Sequence, residues 1–157
     1  MRVAVVDDEK DMRLSITQWL TLSGYETESY SSAEDALAQI GSDYPGIVVT
    51  DIKMPGMDGM QFLKRIMALD TTLPVILITG HGDVPMAVEA MRLGAFNFLE
   101  KPFNPEALTQ LVKLAIQNRR SSLSTRDLRS ELSDGSKIIK KLAGTSKFME
   151  KLNEDIL

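Results

Sequence analysis

Five times within the first 118 residues, a short apolar or β-branched run gives way to a longer stretch with apolar side chains at helical spacing. Val3–Val6 is uninterruptedly apolar, as a strand buried on both faces must be. Met12, Ile16, Trp19 and Leu20 then line one helix face before Gly24 closes it. Tyr25–Tyr30 reads as the second strand. Ser32, with Asp35 three residues on, starts a helix through Ala36, Leu37 and Ile40 that ends at Gly41. Ile47–Thr50 is the third strand, with Asp51 at its carboxyl end. Asp58 and Gly59 open a helix bearing Phe62, Leu63, Ile66 and Leu69, and Asp11 and Asp58 read as caps or loop residues. Pro74 introduces the strand Val75–Ile78, and after the loop 79–82 Asp83 is the expected N-cap, with Pro85 in the first turn and Gly94 at the end. Ala95–Leu99 is the fifth strand, and Asn104 caps a helix containing Pro105, Leu108, Leu111, Val112 and Ala115.

Such alternation predicts a parallel sheet with helices on both faces, and no other internal repeat is visible. Zero cysteines exclude disulfide frameworks and thiolate chemistry, and the single His81, read as a solvated loop residue, leaves little for zinc hydrolysis. No apolar run approaches the roughly 20 residues that span a bilayer, and the early acidic cluster does not fit a signal peptide, so the expectation is a soluble, cytoplasmic protein. Charge is uneven: residues 1–118 carry a net −7 and residues 119–157 a net +3. The basic tail reads as a solvated linker rather than a nucleic-acid arm.

Ligands of open parallel sheets bind at the carboxyl ends of the strands. Asp7 and Asp8 follow the first strand here, Asp51 ends the third, Thr79 ends the fourth, and Lys101-Pro102 follows the fifth. Converging carboxylates repel one another unless a cation joins them, and an all-oxygen donor set favours Mg²⁺, which partners readily with phosphate. Lys101 and Thr79 suit phosphate oxygens as point charge and hydroxyl donor. The residues thus point to a magnesium-dependent phosphate site in which one carboxylate serves as nucleophile. Gly80-His81-Gly82 has neither P-loop nor dinucleotide spacing.

Val5-Val6-Asp7-Asp8-Glu9, the segment Asp51–Gly59, Ile78-Thr79-Gly80 and Gly94–Phe103, in this order and spacing, resemble the receiver domains of bacterial two-component response regulators over residues 1–118. The resemblance implies a doubly wound five-stranded α/β fold, (βα)5 and flavodoxin-like, with a C-terminal helical linker. It implies Asp51 as the phosphoacceptor for a sensor histidine kinase. Asp8, Asp51 and the Lys53 backbone carbonyl would ligate Mg²⁺, with Asp7 acting mostly through water. Thr79 and Lys101 would contact the phosphoryl group, the Lys101–Pro102 bond would be cis, and Phe98 would be the aromatic switch residue. It implies a signalling switch rather than an enzyme with a substrate of its own. The alternative, an Asp-nucleophile phosphatase-like enzyme, lacks a second Asp at position 53, which is Lys.

Beyond the receiver, Leu111, Leu114, Ile116, Leu123, Leu128 and Leu132 suggest a helical or coiled-coil linker over 119–142, with Gly135 ending the helix, and a homodimer through receiver and linker. Gly144-Thr145-Ser146, with Met149 and Leu152, resembles the entry to the AAA+ ATPase domain of sigma-54-dependent activators, here 143–157. Within that class the loop 79–85 is similar to the dicarboxylate-transport regulator group. The expectation is a receiver and linker cut before a downstream ATPase, with no membrane partner and no direct DNA binding by these residues.

Overall fold

The alternation resolves into five parallel strands and five helices: β1 (Arg2–Val6), α1 (Lys10–Leu22), β2 (Glu26–Tyr30), α2 (Ala33–Leu37), β3 (Gly46–Asp51), α3 (Gly59–Leu69), β4 (Val75–Thr79), α4 (Val84–Leu93), β5 (Asn97–Glu100) and α5 (Pro105–Gly135). The computed structural model describes residues 1–80 and 82–135, with side chains as far as Thr125. His81, the side chains of Leu128 and Leu132 and the ATPase-like segment 143–157 lie outside the described residues. The compact body ends at Arg120, two residues beyond the charge boundary drawn from sequence.

Strand order is β2-β1-β3-β4-β5, all parallel. The chain moves outward from β1 to β2 and then crosses back to β3, so the switch point lies between β1 and β3. β1, β3 and β4 are interior strands covered by helices on both faces, which is why their runs are apolar throughout. Their side chains divide into two cores. Ala4, Val6, Val48 and Leu77 pack with Phe62, Leu63 and Ile66 of α3 and with α2 and α4. Val3, Val5, Ile47, Val49, Ile76 and Ile78 pack with Ile16 and Leu20 of α1 and with Leu108, Val112, Ala115 and Ile116 of α5.

Caps explain most helix starts. Asp58 and Gln61 form a reciprocal capping box at α3, with bonds of 2.9 and 3.1 Å. Ser32 Oγ accepts from the Asp35 N–H at α2, and Asn104 Oδ1 accepts from the Glu106 N–H at α5. Asp83 holds the N-cap position of α4, but its side chain caps nothing; its carboxylate lies 3.2 Å from the Lys53 ammonium instead. Asp11 is neither cap nor loop: it is in the first turn of α1, where a negative charge suits the helix dipole.

Most strand ends differ from expectation by one residue, and two boundaries differ by more. α2 stops at Leu37 although Ile40 stays buried, because the Gln39 and Ile40 N–H groups both return to the Ala36 carbonyl and tighten the chain into a turn. β5 begins at Asn97, not Ala95. Gly94 is left-handed at φ 118°, and the Ala95 N–H returns to the Ala90 carbonyl at 3.0 Å, so Ala95 still belongs to the closure of α4.

Candidate phosphoryl and metal site

The switch point puts the ends of β1 and β3 side by side, and with them Asp7 and Asp51. One carboxylate oxygen from each of Asp7, Asp8 and Asp51 lies within 4.8 Å of the other two. Asp7 and Asp51 are buried, while Asp8 faces solvent. The Asp7 backbone is fixed by its N–H to the Tyr30 carbonyl and by the Arg13 guanidinium, which donates to its carbonyl at 2.7 Å. Asp7 Oδ1 accepts the Glu9 N–H at 2.9 Å, whereas Oδ2 is buried without a hydrogen-bond donor. Burial, with the charges of Asp51 and Asp8 adding to it, pushes the Asp7 carboxyl up to about 6 against the opposing Glu9 N–H and Lys101.

An orphaned carboxylate oxygen beside two further carboxylates is the donor set of a hard cation. The residues therefore fit Mg²⁺, whose oxygen ligands need no His or Cys.

Asp51 lies against the base of α3. The Gly59 N–H donates to the Ile52 carbonyl at 2.6 Å, and a Cβ on Gly59 would come 2.5 Å from the Asp51 carbonyl oxygen and 2.7 Å from Ile52 Cα. Only glycine allows so close an approach. From the other side of the crevice Lys101 Nζ reaches Asp51 Oδ2 at 3.3 Å. Its main chain is anchored by the Lys101 N–H to the Thr79 carbonyl at 2.7 Å, and the Lys101–Pro102 peptide is cis. Thr79 is fully buried at the end of β4, and its hydroxyl donates to the Leu99 carbonyl at a long 3.4 Å. Lys53 follows two residues after Asp51, its side chain exposed and paired with Asp83. Phe98 stands opposite Leu77 in β5, half-buried against the core that holds α3 and α4.

So Asp7, Asp8, Asp51 and Lys101 come together, Thr79 ends the adjacent strand, and Phe98 lies one residue from the carbonyl that Thr79 holds. Residues 3–113 match the family model described as response regulator receiver domain. The chain belongs to the response regulator receiver domain family. This receiver is 42% identical over 154 residues to the C4-dicarboxylate transport transcriptional regulatory protein DctD of Rhizobium meliloti, covering 98% of this chain and 33% of that protein. It is 43% identical over 155 residues to the DctD of Pseudomonas aeruginosa, covering 99% and 34%. In structure it is similar to NtrX from Brucella abortus, with a TM-score of 0.73 and 35% identity, over 92% of this chain and 31% of that one. It spans about a third of the length of these curated relatives. The family is a regulatory one, and among the described residues no helix is long and apolar enough to cross a membrane.

Arg119 is the residue whose place the charge count missed. It falls at the start of the basic tail, yet its side chain is wholly buried and is the largest to be so in the body. A helical projection holds the signal: Leu108, Val112, Ala115, Ile116 and Arg119 share one face of α5, and the first four are core.

Proposed function

We propose that this receiver is a phosphorylation-dependent switch in which Asp51 takes a phosphoryl group from the phosphohistidine of a sensor histidine kinase. The observation that carries it is the Asp51 carboxylate held 3.3 Å from Lys101 Nζ beside the orphaned oxygen of Asp7. In the transfer an Asp51 oxygen bonds to phosphorus, the P–N bond breaks, and the imidazole leaves with its electron pair. Asp8, Asp51 and the Lys53 carbonyl would hold Mg²⁺ with Asp7 in support, and the ion supplies positive charge to the phosphoryl oxygens. Lys101 is already aimed at Asp51 and takes a phosphoryl oxygen as point-charge partner. Thr79 makes only a long bond to the Leu99 carbonyl, so a phosphoryl oxygen, a far stronger acceptor, draws its hydroxyl inward. That vacates space next to Phe98, and the half-buried ring rotates into it, reshaping the surface over 83–103. Lys53, paired with Asp83, supplies no second acid for phosphatase turnover.

The likeness to the DctD proteins supports a reading of the output. Residues 1–118 serve as receiver, 119–142 as a helical or coiled-coil linker and 143–157 as the entry to an AAA+ ATPase. Phosphorylation controls the state of a homodimer formed through receiver and linker, and hence a sigma-54-activating ATPase in C4-dicarboxylate-responsive transcription. The protein works in the cytoplasm, and this part of it does not contact DNA. The test is labelling by acetyl phosphate or a cognate kinase with Mg²⁺. Wild type gains an acid-stable, hydroxylamine-labile phosphate, and Asp51→Asn, folded by circular dichroism, gains none. A mutant that labels like wild type removes Asp51 from the role. Sedimentation with Mg²⁺ and beryllofluoride then reads the dimer state, and a shift confined to wild type is expected.

A further inference from the structure

The body contains a buried ion pair that lies away from the phosphoryl site. Arg119 of α5 and Asp70, which ends α3, are 0% and 2% exposed and approach to 2.9 Å. Two more guanidinium N–H groups find acceptors: Nε donates to the Tyr44 carbonyl at 2.9 Å and Nη1 to Thr72 Oγ1 at 3.0 Å. Asp70 Oδ1 accepts from both the N–H and the hydroxyl of Thr72, at 3.0 and 2.7 Å. Taking two charges fully out of water is costly and is a poor route to stability alone, since apolar side chains of similar volume do as well. What such a pair supplies is direction, because a planar guanidinium donates along fixed directions.

Its placement shows what is being directed. α3 and α5 belong to different helical layers, one in each core. α3 starts at Gly59, jammed against Asp51, and α5 starts four residues after Lys101, which reaches Asp51. Both helices therefore begin at the phosphoryl site. Beyond the amino edge of the sheet, where Tyr44 precedes β3 and Thr72 precedes β4, the end of α3 and the middle of α5 are pinned together by Asp70 and Arg119. Trp19 holds the start of α5 through its indole N–H to Thr109 Oγ1 at 2.7 Å, Val112, Ala115 and Ile116 pack into the core beyond it, and Arg119 adds a polar tie to α3 one residue before the body ends.

We propose that the Arg119–Asp70 pair is a latch that fixes α5 to α3 at the edge of the body. Displacement of α5 at the phosphoryl site is then carried to Arg120, where the body ends, instead of being lost as α5 slides against α3. Arg119 and Asp70 are positioning residues: they act through α5 and touch no reacting atom.

The chain has no cysteine, so Arg120→Cys carries a single nitroxide at an exposed position. It is placed in wild type, in Asp70→Asn and in Arg119→Lys, which keep volume or charge while breaking the fork. Amide exchange over 112–120 is expected to quicken about tenfold in both variants, with α1 and the strands unchanged, and the double variant to be no faster than either single. Adding acetyl phosphate and Mg²⁺ shifts the nitroxide spectrum in wild type and not in the variants. This second arm rests on Asp51 as phosphoacceptor, and labelling of Asp51 in the same samples separates the two ideas. Wild type that takes no label refutes the acceptor reading. Variants that take label and shift like wild type, or wild type that takes label without a shift, overturn the latch. Unchanged exchange over 112–120 overturns it independently of phosphorylation, and if one variant fails to fold the other carries the test.

Discussion

Replacing Asp7 with Asn should stabilise the metal-free protein, and the size of the effect follows from the environment of its carboxyl. Asp7 is 1% exposed, its Oδ2 lacks a donor, and its carboxyl is raised from 3.8 to about 6. The folded chain therefore binds this proton more tightly than the unfolded one. Stability from this group falls as pH rises from roughly 4 to roughly 6, and above that the cost is complete at about 3 kcal/mol. Asn keeps the oxygen that accepts the Glu9 N–H and places an amide donor, not a charge, toward Asp8 and Asp51. In EDTA near pH 8 the variant should outlast wild type in urea by up to about 3 kcal/mol, on the order of 10 °C in melting temperature. The gap should close below about pH 4, where both side chains are neutral. Magnesium should narrow it from the other direction, since an ion at ten times its dissociation constant stabilises wild type by about 1.4 kcal/mol and serves the amide less well. A variant no more stable than wild type in EDTA near pH 8, or a gap equally wide at low pH, would refute the account of Asp7 as a carboxylate held at a loss for a cation.

Gly59→Ala should lower stability by about 3 kcal/mol, because the added methyl meets the Asp51 carbonyl and Ile52 Cα, backbone that cannot step aside. The same change should slow Asp51 labelling, and wild-type urea midpoints would show that the packing there is looser than described. Ending the chain after Asn118 rather than after Arg120 should cost about 3–5 kcal/mol by leaving Asp70 buried without its cation. Equal melting temperatures for the two lengths would show that Asp70 finds another partner or water.

The site was legible in the sequence because both of its signals are local. Runs such as Val3–Val6 and Ile47–Thr50 announce strands buried on both faces, and the sheet rule says that whatever ends them meets in one crevice. Asp7, Asp51, Thr79 and Lys101 could be gathered that way before any coordinate. What could not be read depends on partners distant in sequence. Asp83 looks like a helix cap from its neighbours, and only the return of the β3–α3 loop brings Lys53 within 3.2 Å to claim its carboxylate. Ile40 keeps the helical spacing of α2 past the point where the backbone bonds have tightened into a turn, so burial outlasts helix.

Arg119 is the sharpest case. Beside Arg120, in a stretch of net positive charge, it has the composition of a solvated tail, yet the spacing of its face is that of the core. Composition and periodicity disagree at this one residue, and periodicity is right because Asp70, Thr72 and the Tyr44 carbonyl satisfy the charge the core would otherwise reject. A charged residue at a core position of an amphipathic helix is tolerable only where such a set of acceptors exists. The disagreement itself therefore marks a place where the chain has built something more specific than a hydrophobic contact, and here it falls within one residue of where the body ends.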